Sequence, residues 1–180
     1  KSGGFVVIAD DVNSIYAGQD ILSVTTIALA ASGTTMNIKT ITADTTLTSG
    51  ESGSLVLLND ADAVITMPTA SAGLNYKIVL GINAAAACTI VASSGDCFYG
   101  SVNVISTTDN KTASQVISRA TATGTVTSYD NLDFDHNTTT LGGSAGDIIK
   151  LVADGDTAWH VDATLTMVGN PSSVVVINAG

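Results

Sequence analysis

The chain of 180 residues contains one glutamate, Glu51, and one arginine, Arg119. Five lysines and two glutamines, Gln19 and Gln115, complete its stock of long, straight polar side chains. Those residues normally coat the wet side of a helix, because they lose little rotamer freedom there. Their scarcity argues against a helical protein. Aromatic residues are few as well, at 4%. That lack removes the aromatic girdles of a membrane barrel and the usual stacking platforms of a sugar site. No apolar run approaches the roughly 20 residues of a spanning helix. The longest, Ile27–Ala31 and Ala84–Cys88, are short and rich in alanine, so no membrane partner is expected. The six basic residues are scattered singly in a chain of net charge −10. Nucleic acid is not an expected partner either, because binding a polyanion relies on Lys and Arg displacing its counterions.

Cysteine is limited to Cys88 and Cys97. They either bridge neighbouring strands or stand as two small buried apolar residues, and connectivity cannot be read from spacing. The histidines, His136 and His160, are remote from both in sequence, so no metal and no cofactor is expected. The chain has no initiator methionine and no leader pattern, and its N-terminus is expected to be a trimmed or fragment end.

What the chain does have is threonine, 25 of them, with 18 serines and 15 aspartates. Branched Thr suits a pleated strand, while Ser, Asn and Asp suit turns. With 45% hydrophobic residues and a mean hydropathy of +0.39, the chain can bury a sizeable core. The composition predicts an all-β protein: a β-sandwich, or a jelly-roll-like or barrel domain, with an extended N-terminal arm.

Residues 1–35 read as that arm and further extended segments, with an apolar burst at Phe5, Val6, Val7 and Ile8. Residues 36–180 read as one β-rich domain, with long Thr- and Asn-rich loops around 106–146. In Asn75–Leu80 the apolar set is Tyr76, Ile78 and Leu80, with Asn75 and Lys77 opposite. In Thr157–Leu165, Trp159, Val161, Ala163 and Leu165 point one way, and Ala158, His160, Asp162 and Thr164 the other. A period of two excludes a helix. Leu55–Leu58, Ile148–Ile149 and Val174–Ile177 are continuous apolar runs, expected to be covered on both faces. Further strands are expected at Ser101–Val104, Gln115–Arg119 and Thr125–Tyr129. Asp154–Gly155 is the strongest hairpin signal, Pro68 should end a strand for want of an amide donor, and Gly73 should permit a tight turn. No fixed period is visible, which speaks against a β-helix.

Reactive chemistry is sparse. No Gly-x-Ser-x-Gly elbow, HExxH motif or phosphate-cradling glycine loop occurs, so no catalytic residue is expected and the chain is not read as an enzyme. Asp133-x-Asp135-His136 and Asp154-Gly155-Asp156 have the look of metal ligands, but neither matches a calcium loop; both read as solvated turns. Trp159 reads as core and His160 as an exposed strand residue.

Two segments carry a resemblance. Thr46–Leu80 reads TLTSGESGSLVLLNDADAVITMPTASAGLNYKIVL, and Gly146–Val161 reads GDIIKLVADGDTAWHV. The first is similar to a pattern in β-rich virion proteins of tailed bacteriophages. There an Asn-containing turn leads into an apolar strand ending in Leu-Pro or Met-Pro, followed by an Ala-Gly-x-x-Tyr strand. The second resembles the Gly-Asp strand, Asp-Gly turn and Trp strand that often closes such a domain. TIVASSGDCFYGSV, within Cys88–Val104, extends the likeness. The resemblance implies a capsid decoration (cement) protein on the outer capsid surface of a virion. Its partner would be the major capsid protein and its form a homotrimer. A head or tail fibre, a receptor-binding module or a secreted bacterial adhesin domain is the alternative. It implies no catalytic residue; Pro68, Gly73, Tyr76, Asp154, Gly155 and Trp159 are structural, and Phe5, Val6, Val7 and Ile8 are the candidate assembly arm.

Overall fold

The structure, a computed structural model, describes residues 36–180 apart from 86–87, 110, 120–128, 139, 156, 172–173 and 179–180. The expected arm, with Phe5, Val6, Val7 and Ile8, lies outside the described residues, as does most of the strand expected at Thr125–Tyr129.

The fold is all-β. In chain order the strands are β1 (Ile38–Ile41), β2 (Thr45–Thr46), β3 (Leu55–Leu58), β4 (Val64–Thr66), β5 (Asn75–Leu80) and β6 (Cys88–Val91). Then come β7 (Cys97–Ser106), β8 (Thr112–Ile117), β9 (Asn131–Phe134), β10 (Ile148–Ala153), β11 (Ala158–Met167) and β12 (Ile177–Asn178). They form a seven-stranded sheet of order β1-β3-β5-β10-β11-β7-β8 and a five-stranded sheet of order β12-β9-β6-β4-β2. Both sheets feed one core. Val56, Ile78, Leu151 and Trp159 of the first share a buried cluster with Ile65, Ile90, Leu132 and Phe134 of the second. A two-sheet sandwich is thus the form realised.

The first six strands alternate between the sheets, and within each sheet they run parallel: β1-β3-β5 in one, β2-β4-β6 in the other. A chain that revisits each sheet in the same direction describes a coil. The sequence reading spoke against a β-helix for lack of a repeat, and the domain as a whole is a sandwich, yet its first six strands coil. The rungs are present but unequal. Ile38 lies opposite Leu55, Thr45 opposite Ile65, Leu55 opposite Lys77 and Val64 opposite Thr89. The offset between partners grows at every step, and only a constant offset shows as a period. Beyond β6 the coil ends: β7-β8 and β10-β11 are antiparallel hairpins, and β7 runs parallel to β11.

The expected faces are found where the period is strict. In β5, Tyr76, Ile78 and Leu80 are buried, while Asn75 and Lys77 are exposed. In β11, Trp159, Val161, Ala163 and Leu165 are buried and His160, Asp162 and Thr164 exposed. Ala158 departs from its expected side of the strand's partition: it is fully buried with Cys97, beneath Tyr99, Tyr129 and Ile117. The continuous apolar runs are a second correction. Leu55 and Leu57 are only half-buried, Ile148 is exposed, and Val175 is exposed beside buried Val176 and Ile177. No described element covers the outer side of β3 and β10, and among the described residues those runs are buried on one face.

The turns follow the local chemistry. Ala153 pairs with Trp159 across the Asp154–Gly155 turn, Gly155 has φ +90°, and the Asp154 amide donates to the Ala158 carbonyl at 3.1 Å. Gly73 turns into β5 at φ +87°. The Met67 amide donates to Val91 at 2.8 Å, and Pro68, with no amide to offer, ends that ladder. The lone glutamate has a structural task in a 3-10 turn at Ser49–Glu51. Glu51 accepts from Lys39 Nζ at 2.6 Å, from the Thr48 amide at 2.7 Å and from Thr48 Oγ1 at 3.0 Å.

Candidate functional site

Of the residues singled out from sequence that the structure describes, several adjoin: the Asp154–Gly155 turn packs against Ala72, next to Gly73, and the Ala153 amide donates to the Leu74 carbonyl at 2.8 Å. Tyr76 and Trp159 meet in the core, ring centroids 5.8 Å apart and tilted by 52°. Burying a ring system of about 150–250 Å² is worth on the order of 4–6 kcal/mol as an upper bound. Tyr76 keeps its hydroxyl satisfied by donating to the Thr48 carbonyl at 2.7 Å. The Trp159 indole N–H is buried with no acceptor among the described residues. Asp154, by contrast, reaches the surface and pairs with Arg119 at 2.5 Å.

One polar cluster was not foreseen. The Ser144 hydroxyl lies 2.8 Å from His136 Nδ1 and donates to the Thr166 carbonyl at 2.9 Å. With that hydroxyl proton engaged, the imidazole must donate from Nδ1. Asp147, buried, accepts from the Ser144 amide at 2.8 Å, the Thr166 amide at 2.7 Å and Thr166 Oγ1 at 2.9 Å. Burial pushes its carboxyl above the ordinary aspartate range, although those donors and His136 pull the other way. The carboxylate holds the serine's backbone rather than the imidazole. The arrangement is a clasp between the 142–147 loop and the end of β11, and it lacks the order of a nucleophile, base and orienting acid.

The aspartates that looked like ligands are dispersed. Asp133 accepts from Thr89 Oγ1 and from Asn178 Nδ2, the latter at 2.7 Å, while Asp135 accepts from the Asn137 amide at 2.9 Å. No group of three His, Cys, Asp or Glu side chains placed to hold a metal occurs among the described residues. Cys88 and Cys97 are both free thiols, one in each sheet. Burial, with Asp60, Asp62 and Asp133 nearby, pushes the Cys88 thiol up to about 12.

The feature with the character of an interaction site is the outer face of the seven-stranded sheet. In register across β1, β3, β5, β10 and β11 lie Ile38, Leu55, Lys77, Lys150 and Asp162. One pleat along lie Thr40, Leu57, Val79, Ile148 and Thr164. Ile38 is 59% exposed, Val152 47% and Ile148 36%. Half-buried Leu55, Leu57 and Val79 lie between them on the same face, and a contiguous apolar patch on a sheet face is a place where something else can pack. The lysines, scattered in sequence, prove to be cross-strand neighbours here. No signal short of the β5–β10 pairing could have brought them together.

Comparison with known proteins returned no match: no family model, no curated protein and no solved structure is similar to this chain.

Proposed function

We propose that the chain is a virion structural protein, a bacteriophage capsid decoration protein bound to the outside of the shell. The observation that carries this reading is where the two resembling segments lie. Thr46–Leu80 contributes the end of β2 and all of β3 to β5, Gly146–Val161 contributes β10 and the start of β11, and β5 and β10 are hydrogen-bonded neighbours from Asn75–Val152 to Val79–Ile148. Segments far apart in sequence thus form one block, as parts of a single recurrent domain would. On this reading the protein acts mechanically. By binding the expanded shell and bridging neighbouring copies of the major capsid protein it stabilises that state, as any ligand selective for one state does. The apolar segment Phe5, Val6, Val7 and Ile8 is the proposed assembly arm, adding a strand to a neighbour's sheet edge, and a homotrimer is the proposed form. Incubation of the purified protein with expanded shells should give saturable, symmetric occupancy. Co-purification with tails alone overturns the assignment.

The parallel coil of β1 to β6 favours a second reading, a head or tail fibre module. Coils of this kind propagate rung on rung, and β1, at the sheet edge among the described residues, turns the backbone groups of Ile38 and Thr40 away from β3. Copy number separates the two: hundreds per particle fit decoration, a few dozen or fewer a fibre.

A further inference from the structure

Resting on the reading of the chain as a shell-binding protein, we infer that it docks through the outer face of the seven-stranded sheet around Lys77 and Lys150, and that this face takes an acidic protein surface. Lys77 and Lys150 stand directly opposite each other on β5 and β10. Like charges at directly opposed positions destabilise a sheet. Two of only five lysines are nevertheless spent there, in a body of net charge −10. Lys150 has a partner in Asp162 at 3.1 Å, with their side chains 60% and 51% exposed. A pair so open to water offsets little of the repulsion. Lys77 is exposed and has no ion-pair partner among the described residues.

Toward β3 and along β10 the surround is apolar, while toward β11 it carries His160, Asp162 and Thr164. Leu55 lies beside Lys77, Val79 and Ile148 pair one pleat along, and Val152 sits two residues beyond Lys150. Hydrocarbon on one side of two lysines, one of them without an ion-pair partner among the described residues, fits a partner that brings apolar side chains and carboxylates. A second copy of this chain fits poorly. Joined face to face by a two-fold axis, it would set lysines against lysines and bring two acidic bodies together. Nucleic acid fits poorly too, because the remaining charge of the molecule repels it and two lysines displace few counterions.

The test uses the full chain and expanded shells. Wild type, a Lys77→Glu/Lys150→Glu double variant and Val152→Asp are compared for shell occupancy, with circular dichroism and thermal unfolding to establish folding. Both variants should retain the fold and bind at least about tenfold more weakly, and wild-type binding should weaken with salt. In parallel, reductive methylation of wild type reads the same face without any substitution. Lys77 and Lys150 should react in the free protein and be protected on shells, while Lys111 reacts in both. Undiminished binding by folded variants, or lysines left reactive on saturated shells, overturns the face and leaves the functional reading intact. Protection of Lys77 already in the free protein overturns it as well, by showing the face covered by the chain itself or by its copies. Failure of wild type to bind shells at all overturns the function and the face together.

Discussion

Gln115 and Ile177 exchange two hydrogen bonds between the edges of the two sheets: Gln115 Nε2 donates to the Ile177 carbonyl at 2.7 Å, and the Ile177 amide donates to Gln115 Oε1 at 2.8 Å. A side-chain amide here does what a neighbouring strand would do, joining β8 of one sheet to β12 of the other. Only Asn and Gln carry both a donor and an acceptor in that planar form. Gln115→Leu should lower stability by about 1–3 kcal/mol, because both backbone groups of Ile177 lose their partner. Gln115→Glu keeps the acceptor alone and should fall between. Urea midpoints of the three proteins check this; equal midpoints would show that the exchange contributes nothing.

Gly100 and Gly146 make a matched pair for separating crowding from backbone strain. Both have positive φ, +132° and +95°. A Cβ on Gly100 would lie 2.1 Å from the Val161 carbonyl oxygen, whereas one on Gly146 meets nothing within 4 Å. Gly146→Ala should cost about 1–2 kcal/mol, the ordinary penalty of a left-handed backbone. Gly100→Ala should cost well over that, more than about 4 kcal/mol, since β7 and β11 must separate to admit it. Chemical denaturation reads both, and similar losses would mean that the close strand approach is not rigid.

Cys88 should be inert while the protein is folded. Thiolate is the reacting form, and burial holds the thiol pushed up to about 12. A disulfide reagent at pH 8 is expected to label Cys88 only at the rate of unfolding, and immediately in denaturant. Fast labelling of Cys88 in buffer would show that β6 opens locally.

Two carboxyls should tilt the pH dependence in opposite directions. Asp147 is raised from 3.8 by burial. Its folded form therefore holds a proton more readily than the unfolded chain, and its contribution is fullest below 3.8 and declines as pH rises through the folded value. Glu51 is lowered from 4.5, first by its hydrogen bond from Lys39. Its contribution is present above 4.5 and is lost as pH falls through the folded value. Stability curves from pH 2 to 7 for Asp147→Asn and Glu51→Gln, each subtracted from wild type, should slope oppositely. Parallel slopes would contradict the environments described for both groups.

How far the sequence could be read depended on the range of each interaction. The faces of β5 and β11 follow from alternation within a few residues, and Asp154–Gly155, Gly73 and Pro68 act on their own backbone. The Ser144–His136 clasp, the Gln115–Ile177 exchange and the Lys77–Lys150 pair join residues from separate elements, and nothing local announces them. The continuous runs at Leu55–Leu58 and Ile148–Ile149 misled for the same reason. A row of apolar residues does not say whether its second face is covered within the fold or left open for a partner.

The composition alone settled that this is a strand-built protein, since threonine favours pleated backbone and the residues that solvate helices are nearly absent. Sheet membership and strand direction were decided in three dimensions. Rungs of unequal length erase any period, so β1, β3 and β5 become parallel neighbours only once a shared core has made burying both sheets together more favourable than any local hairpin.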